Sequence, residues 1–455
     1  MDEKLKELVL RRQRAVLQQT TEAAGPEERP VAKKPVTHRK PVVVRDEVET
    51  PVLPEIGRTL AESIPYSLYG EARIHFLAEQ VRVLPDRERT ALRKHVEALV
   101  RHMLTVGASD IDAGGPASNG YVWYRVDGDK KPDERMGRYH VDETNVLFLN
   151  LLTDRQREVL FAAGSVDFSF HIPIEGRDGR PRRFRATLYY DMEHLALNMR
   201  AISDELRPLS SLGFHPIIER GLMFRHVRDG LTLVTGVTGS GKSTTLDAIV
   251  DANNKDFAGH IVIIGKPIEF MHVSKMCIIR HREVGNDVRT FKDGIVQALR
   301  QDPDIVVIGE MRDPETISAA LEITDSGHKV FSTLHTSSAV ESIDRIIGEY
   351  PPEEQNRVRN RLADVLRCVI SQKLCPKVGG GRVLAKEVLW MTPSTRAAIK
   401  NENTNEIYQM MWEGGSQGQI TLEQDLYRLF RQGLITAETA MNYANNKRRL
   451  QQLMG

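Results

Sequence analysis

The chain has 455 residues, which is enough for two or three domains with hydrophobic cores of their own. Its formal net charge is +1, so no global basic field indicates a nucleic-acid partner. No apolar run approaches the ~20 residues that cross a bilayer, and the charged N-terminus does not have the form of a signal peptide. These features predict a soluble, cytoplasmic protein.

The three cysteines, Cys277, Cys368 and Cys375, are few and irregularly spaced. Such a pattern is typical of reduced, structural thiols in a cytosolic protein. A metal site at Cys368 and Cys375 would lack further ligands nearby in the sequence, so we do not expect one.

Residues 1–55 begin with a charged helix candidate over 3–19 and continue as a tract rich in proline, lysine and valine. Prolines and charges oppose a packed core, so we predict a disordered tether over 1–55. The tract contains a basic cluster, Lys33, Lys34, Arg39 and Lys40. A solvated linker is the favoured interpretation, and the alternative is a cluster that contacts an anionic membrane or an acidic partner.

Two regions with different sequence patterns follow the tether. Apolar residues recur at helical spacing over 56–104, which predicts a helical extension of two or three helices. Over 105–205, short strands alternate with turns, which predicts a small α+β domain with strands at 121–126, 167–174 and 183–189 and a turn at 176–181. This domain carries an arginine set: Arg182, Arg183, Arg185 and Arg200. Exposed strand charge is one interpretation of the set, and arginines that reach phosphate groups are the other.

The next element is an apolar strand over 231–235 that ends at Gly236, before a helix that starts near Ser243. Between them, Gly236-Val-Thr-Gly239-Ser-Gly241-Lys242-Ser243 matches the phosphate loop G-x-x-x-x-G-K-S/T. Glycines let successive backbone N–H groups face phosphate oxygens, and the helix adds the positive end of its dipole. We expect Lys242 at the β- and γ-phosphates and the Ser243 hydroxyl on Mg²⁺. The predicted nucleotide-binding residues are Gly236, Val237, Thr238, Gly239, Ser240, Gly241, Lys242, Ser243 and Thr244.

A helix is predicted before this strand, at 216–224, and strands and helices alternate after it. Strands are predicted at 261–264, 305–308 and 330–333, and helices at 290–300, 314–325 and 339–347. Apolar strands separated by helices of this length predict a mostly parallel sheet covered on both faces, the α/β class. A helix over 353–370 and a helical region over 377–455 are expected to complete the chain.

The second motif is the apolar strand that leads from Asp304 to Glu310. Its buried residues hold a carboxylate at the C-terminal edge of the sheet, beside the phosphates. Glu310 is therefore placed to orient or deprotonate an attacking water, and an ordinary strand-end acid is the alternative. Arg312 and Asp313, which follow, are expected to form local salt bridges.

Two histidines bracket the next strand, His328 before it and His335 after it. A single histidine in such a place is usually a core or turn residue. A pair at the two ends of one strand of a catalytic sheet favours a sensor of the γ-phosphate, and His335 is the better candidate.

Three segments together resemble one superfamily: GVTGSGKSTT, DPDIVVIGEMRD and SGHKVFSTLHTSSAVESIDRII. They are similar to the secretion ATPases of type II secretion and type IV pili, and most similar to the pilus retraction ATPases of twitching motility. The likeness covers about residues 105–440 and includes the segments 108–110, 125–128, 369–372, 390–393 and 414–426. The related extension motors usually carry a four-cysteine zinc site, a spacing that this chain does not have.

The resemblance implies a homo-hexameric ring. Each subunit would have a PAS-like N-terminal domain (105–205), a RecA-like core (206–376) and a helical C-terminal domain (377–455). ATP would lie between the first two, with Arg185 and Arg200 at the positions that reach its phosphates. The motor would act on an inner-membrane pilus platform protein from the inner face of the cytoplasmic membrane. A paralogous pilus motor ATPase is a further expected partner, and no direct nucleic-acid contact is expected.

One segment departs from the family pattern. The acidic box, I-E-D-P-I/V-E-F in the family, here reads Ile264-Gly265-Lys266-Pro267-Ile268-Glu269-Phe270. Glu269 is kept and is a catalytic candidate, but Gly265 and Lys266 replace two acids thought to help hold Mg²⁺ and water. We expect Lys266 to favour tight ATP binding and slow hydrolysis. The family histidine near the start of the N-terminal domain is also replaced, by Asp112.

Two functions of different class follow. The first is an active, Mg²⁺-dependent ATPase motor of the retraction type, and the second is a weakly active or inactive ATP-binding subunit that assists a cognate motor. A type II/IV secretion or DNA-uptake ATPase is a third interpretation that the fold does not exclude. The near-neutral charge and the lack of a basic, aromatic channel motif argue against direct pumping of DNA.

Overall fold

The structure, a computed structural model, describes residues 51–126, 128–173, 181–202 and 206–455. The predicted helix over 3–19, most of the predicted tether and most of the predicted turn at 176–181 lie outside the described residues. None of the helices in the described part of the chain combines the length and the apolar character that a bilayer span requires.

Three helices open the described chain: α1 (Glu55–Glu62), α2 (Glu71–Arg82) and α3 (Asp86–Thr105). Acidic side chains lie in the first turn of each helix, where they complement the helix dipole. The buried apolar residues of α3, such as Leu92, Val96 and Leu99, recur at helical spacing. The prediction of two or three helices in this region is confirmed.

A six-stranded antiparallel sheet follows, with strand order β3-β2-β1-β6-β5-β4. Its strands are β1 (Asp110–Gly114), β2 (Trp123–Val126), β3 (Asp129–Pro132), β4 (Ser165–Ile172), β5 (Arg182–Asp191) and β6 (His194–Ala201). Helices α4 (Val141–Leu149) and α5 (Asp154–Ala163) lie between β3 and β4 in the sequence, and β3 is exposed along its whole length.

The helical extension and this sheet share one hydrophobic core. Leu53, Ile74 and Leu92 belong to the same buried cluster as Phe148 of α4 and Leu188 of β5. Polar contacts also join the two parts. The His95 Nε2 atom lies 2.9 Å from the Tyr139 hydroxyl, and His102 Nε2 lies 2.7 Å from Asp133. The extension is therefore an integral part of the N-terminal fold.

The second sheet has seven strands in the order β13-β12-β7-β11-β10-β8-β9. Its strands are β7 (Gly230–Thr235), β8 (His260–Gly265), β9 (Ile278–Glu283), β10 (Ile305–Ile308), β11 (Lys329–Leu334), β12 (Leu366–Pro376) and β13 (Arg382–Trp390). All neighbours are parallel except the hairpin of β12 and β13. Alternate residues of β10 belong to two separate hydrophobic clusters, as expected for a sheet covered on both faces.

Helices surround this sheet and complete the chain. They are α6 (Pro216–Leu222), α7 (Lys242–Asp256), α8 (Phe291–Ala298), α9 (Pro314–Asp325), α10 (Ala339–Gly348), α11 (Pro352–Val365), α12 (Pro393–Lys400), α13 (Ile407–Glu413), α14 (Leu422–Arg431), α15 (Ala437–Tyr443) and α16 (Lys447–Met454). The predicted mostly parallel sheet covered by helices is confirmed.

Two expectations near residue 370 are wrong. The helix predicted over 353–370 ends at Val365, and the chain continues as β12 between β7 and β13. The apolar spacing of α11 runs on into Val369 and Ile370, but these β-branched residues are buried in the sheet, where they are favoured. The C-terminal region is also not wholly helical, because it contains β13. The hairpin crosses the boundary predicted after residue 376, and the domain boundaries stay predictions.

Candidate nucleotide-binding site

The phosphate loop joins the buried strand β7 to helix α7. Gly236, Gly239 and Gly241 all have positive φ angles, which favour glycine. A Cβ atom on Gly236 would lie 2.5 Å from the carbonyl oxygen of Gln372. The motif glycines are therefore required both by the turn and by the neighbouring strand β12.

Lys242 begins helix α7 with its amine folded back over the loop. Its Nζ atom donates to the carbonyl oxygens of Gly236 at 2.8 Å and Val237 at 3.2 Å. Burial lowers the pKa of the Lys242 amine, while the nearby carboxylates of Glu269 and Glu310 favour its charged form. The two predicted catalytic acids thus lie within electrostatic reach of the phosphate-loop lysine.

Several hydroxyl groups of the loop have no hydrogen-bond partner among the described residues. The Oγ atoms of Ser240 and Thr235 are buried and unpaired, and Ser243 and Thr244 make no side-chain bond there. Buried polar groups ordinarily have partners, so the Ser240 and Thr235 hydroxyls, unpaired among the described residues, are available to a polar ligand. Val237, Thr238 and Gly239 form the exposed tip of the loop.

Gln372 is a site residue that the motifs did not identify. Its side-chain amide donates to the Ser240 carbonyl at 3.0 Å and accepts from the Thr245 hydroxyl at 3.0 Å. Gln372 is 1% exposed and lies on β12, beside β7. The only sequence signal was its place in a short segment with family likeness, because its partners are more than 120 positions away.

Glu310 lies just past β10, at the carboxyl edge of the sheet. The preceding residue, Gly309, donates its N–H to Ile264 at 2.7 Å and accepts from the Thr333 hydroxyl at 2.6 Å. The predicted local salt bridge is present, because Arg312 lies 2.7 Å from the Glu310 carboxylate. Asp313 does not take part in it and instead caps helix α9.

The two histidines lie at opposite edges of the sheet. His335 follows β11 at the carboxyl edge, and burial, together with the charges of Lys242 and Arg312, lowers its pKa. His328 precedes β11, and its Nδ1 atom lies 2.9 Å from the Ser326 hydroxyl. The strand separates the two by about 20 Å at ~3.3 Å per residue. The structure brings His335 to the phosphate loop and does not bring His328 there.

The altered acidic box begins with the last two residues of β8, Ile264 and Gly265, and lies beside the segment that carries Glu310. Gly265 and Gly309 are close, since a Cβ atom on Gly309 would be 3.2 Å from the Gly265 Cα atom. The side chains of Lys266 and Glu269 are exposed, and Lys266 has no ion-pair partner among the described residues. A free cation therefore occupies the position where the family pattern has an acid.

Arg185 and Arg200 lie directly opposite each other on β5 and β6. They belong to one cross-strand row on a single face of the N-terminal sheet: Ser169, Arg185, Arg200, Asp110, Arg125 and Lys130. Arg200 is paired with Asp110 at 2.7 Å, whereas Arg185 is exposed and has no partner among the described residues. Within the described residues neither arginine contacts the phosphate loop.

Metal-binding side chains do not form a cluster in the described part of the chain. No group of three or more histidine, cysteine, aspartate or glutamate side chains is placed to hold a metal ion there. The three cysteines are free and buried, and burial raises the pKa of the Cys368 thiol to about 12. These thiols are inert packing residues at neutral pH.

The sequence profile of the family described as "Type II/IV secretion system protein" matches residues 87–442 of this chain. The chain belongs to this family. The chain is similar to the type IV pilus retraction ATPase PilT of Pseudomonas aeruginosa, with 40% identity over 343 residues, or 74% of this chain and 94% of that protein. The type IV pilus ATPase PilU of the same organism is 32% identical over 353 residues, or 77% and 88% of the two chains.

Solved structures support the same assignment. The crystal structure of the pilus retraction motor PilT with bound ADP has a TM-score of 0.69 and 37% identity, and the match covers 78% of this chain and 98% of that chain. The ATPase DotB of Legionella pneumophila has a TM-score of 0.61 and 25% identity, over 77% and 95% of the two chains. The predicted α/β fold, with a RecA-like core and a PAS-like N-terminal domain, is confirmed.

Proposed function

We propose that this protein is an ATPase motor of the pilus-retraction type, which couples ATP hydrolysis to pilus disassembly and twitching motility. The observation that carries the proposal is the convergence of Lys242, Glu310 and His335 at one edge of the core sheet, around the phosphate loop. The relatives named as pilus retraction ATPases provide the biological context.

The residues of the loop bind the substrate. The backbone N–H groups of the loop and the α7 dipole bind the phosphates of ATP, and Lys242 exchanges its two carbonyl partners for phosphate oxygens. Ser243 is the residue that would hold Mg²⁺, because its hydroxyl is free and magnesium prefers oxygen ligands. When bound, the ion neutralises charge that develops on the phosphates.

Glu310 acts as the general base in this proposal. Its carboxylate accepts a proton from the attacking water, and the pair with Arg312 holds the carboxylate in one orientation. Gly309 is fixed to the neighbouring strands on both sides, so the base has a defined position. His335, whose lowered pKa keeps it neutral at pH 7, donates or accepts a hydrogen bond at the γ-phosphate.

Arg185 and Arg200 are the proposed phosphate-reaching arginines. Like charges that lie directly opposite in a sheet are unfavourable, and only Arg200 has a carboxylate partner among the described residues. A phosphate group bound at Arg185 would compensate its charge. We infer that the two residues act on ATP when the N-terminal domain closes on a nucleotide site, in the same subunit or in a neighbour of a homo-hexamer.

The assembly around the motor is inferred from the relatives. We propose a hexameric ring at the inner face of the cytoplasmic membrane, where it acts on a pilus platform protein. The relative PilU, itself named a pilus ATPase, supports a paralogous motor as a further partner.

A second candidate function rests on Gly265 and Lys266. Lys266 is exposed, has no ion-pair partner among the described residues and puts a cation into the acidic box, which would favour ATP binding over turnover. In that case the chain would be a weakly active subunit that assists a cognate motor. A role in type II/IV secretion or DNA uptake would use the same ATPase chemistry, and the description of the matching family as "Type II/IV secretion system protein" keeps it as a third candidate.

The deciding experiment is steady-state hydrolysis of Mg²⁺-ATP by the full chain, with Glu310→Gln as the blank and Glu315→Gln as the control. Glu315 is an exposed acid on α9 that pairs with Lys292. A rate well above the blank, and retained by the control, supports the motor. A rate equal to the blank, with ATP binding that is lost in Lys242→Ala, supports the assisting subunit.

A further inference from the structure

Glu283, the last residue of β9, is a buried carboxylate outside the motifs described above. Its side chain is 8% exposed and accepts hydrogen bonds from both domains. The Ser169 hydroxyl of β4 donates to it at 2.8 Å, and the Arg183 guanidinium of β5 at 3.1 Å. From the core, the backbone N–H of Ile268 donates at 3.1 Å, and the Asn286 amide donates as well.

Arg183 uses both arms of its guanidinium at this junction. One nitrogen donates to the Glu283 carboxylate, and the other donates to the carbonyl oxygen of Ile268 at 2.5 Å. The side chain is 15% exposed, so these contacts are largely shielded from water. A planar fork with two fixed donor directions suits this task, and a lysine amine does not.

The two partners together fix the backbone of Ile268. Arg183 donates a hydrogen bond to the carbonyl oxygen of Ile268, and Glu283 accepts one from its N–H. The next residue is Glu269, whose negative charge favours the charged form of the Lys242 amine. A side chain of the N-terminal domain therefore holds the main chain one residue away from a candidate catalytic acid of the core.

We propose that Arg183 is a positioning residue for the acidic box, and that Glu283 is the fixed point through which it acts. The inference rests on the proposed ATPase function. When the N-terminal sheet moves relative to the core, the Arg183–Ile268 bond breaks and Glu269 loses its fixed place. Domain position thus sets the geometry of the nucleotide site through this one arginine.

The test compares Arg183→Lys and Arg183→Met with wild type in the full chain. We expect kcat for ATP hydrolysis to fall roughly tenfold or more, as for a misplaced catalytic group, while KM changes little. Hydrogen exchange at the amides of residues 266–270 should accelerate in both variants, with ADP present. Glu283→Gln keeps the shape of the side chain and should give the same pattern more weakly.

Arg93→Lys is the matched control. Arg93 also pairs with a carboxylate, Glu97, and donates to a backbone carbonyl, that of His171, but all three lie in the N-terminal fold. The control should leave kcat and exchange at 266–270 at wild-type values. An Arg183→Met variant with wild-type exchange at 266–270, or with a kcat equal to that of Arg93→Lys, overturns the proposal.

The exchange measurement separates this inference from the proposed function. If the wild-type chain does not hydrolyse ATP, the motor proposal fails, but faster exchange at 266–270 in Arg183→Met still supports the positioning role. If hydrolysis is robust and exchange does not respond to Arg183, the positioning role fails alone.

Discussion

Gln372 donates its side-chain amide to the carbonyl oxygen of Ser240 at 3.0 Å, so the strand next to β7 supports the phosphate loop directly. The same side chain accepts from Thr245 in the first turns of α7. One buried amide therefore fixes the loop on both sides of its lysine.

We predict that Gln372→Ala weakens ATP binding. The change leaves a buried carbonyl and a buried hydroxyl unpaired, at a cost of ~1–3 kcal/mol for each unsatisfied group. If the loop becomes disordered to relieve part of this cost, ATP has to order it again on binding, and the affinity for ATP falls roughly tenfold. Calorimetric titration with a non-hydrolysable ATP analogue measures this affinity, and Gln409→Ala, at an exposed position, is the control. An unchanged affinity in Gln372→Ala would contradict the role of Gln372.

The second prediction concerns pH and His335. Because burial and the nearby charges of Lys242 and Arg312 lower its pKa below the usual 6.5, the imidazole is mostly neutral at neutral pH and gains its proton as the solution becomes acidic. We expect kcat to stay level over the neutral range and to fall on the acid side of it. His335→Gln, which keeps a polar group but cannot be protonated, should lower kcat and lack that decline. An identical acid limb in the variant would show that another group titrates.

The third prediction concerns stability and Glu387 of β13. This buried carboxylate accepts from the Ala339 N–H at the start of α10, just after His335, at 2.7 Å. Burial raises its pKa from 4.5 to about 7. Between these values the folded state keeps a proton that the unfolded state loses. The contribution of Glu387 to stability is therefore fully present below pH 4.5 and is lost as the pH rises through about 7.

Glu387→Gln should lack this decline. At 1.36 kcal/mol per pKa unit, the variant should gain up to about 3 kcal/mol relative to wild type between acidic and alkaline solution. Urea unfolding midpoints measured across this range test it. The exposed Glu413→Gln should show a constant offset from wild type. A constant offset for Glu387→Gln as well would mean that the pKa of the carboxylate is the same in the folded and unfolded states.

The fourth prediction concerns where the N-terminal fold begins. Leu53 is 7% exposed within the shared core, and the Val52 carbonyl lies 3.2 Å from His95 Nδ1. A chain that starts at Ile56 loses both, at a cost of roughly 2–5 kcal/mol for the buried leucine and the orphaned ring nitrogen. Its melting temperature should lie below that of a chain that starts at Pro51. Equal temperatures would show that the core closes without Leu53.

The fifth prediction tests the altered acidic box. Lys266→Glu restores an acid at an exposed position and removes the cation from the acidic box. We expect a higher kcat and weaker ATP binding, because acids there favour metal and water over phosphate. Lys94→Glu, on an exposed face of α3, is the control for the change in net charge. If Lys266→Glu leaves kcat and affinity at wild-type values, the lysine does not act on the nucleotide.

Much of the site could be predicted because its chemistry is local in the sequence. The glycines of the phosphate loop, Lys242 and Glu310 each follow an apolar strand, and the carboxyl ends of parallel strands meet at one edge. Gln372 and Arg183 could not be assigned their roles in this way, because their partners depend on which strands become neighbours. His328 shows the converse limit, since closeness to a strand in sequence does not say at which edge a side chain lies.

The strand β12 shows the same limit for the fold. Residues 353–370 keep a helical spacing of apolar side chains through the point where the helix stops. Pairing with β7 on one side and β13 on the other decides the conformation of Val369 and Ile370. A local pattern of apolar residues does not show which distant strands will pair with the segment.

The outer strand of the N-terminal sheet, β3, has a consequence for self-association. Its residues include Lys130, Lys131 and Pro132, all exposed along the free edge. Proline offers no N–H to a further strand, and lysines repel an approaching copy, so this edge resists sheet-to-sheet pairing. Copies of the chain can therefore be concentrated in a small volume without pairing with one another through β3.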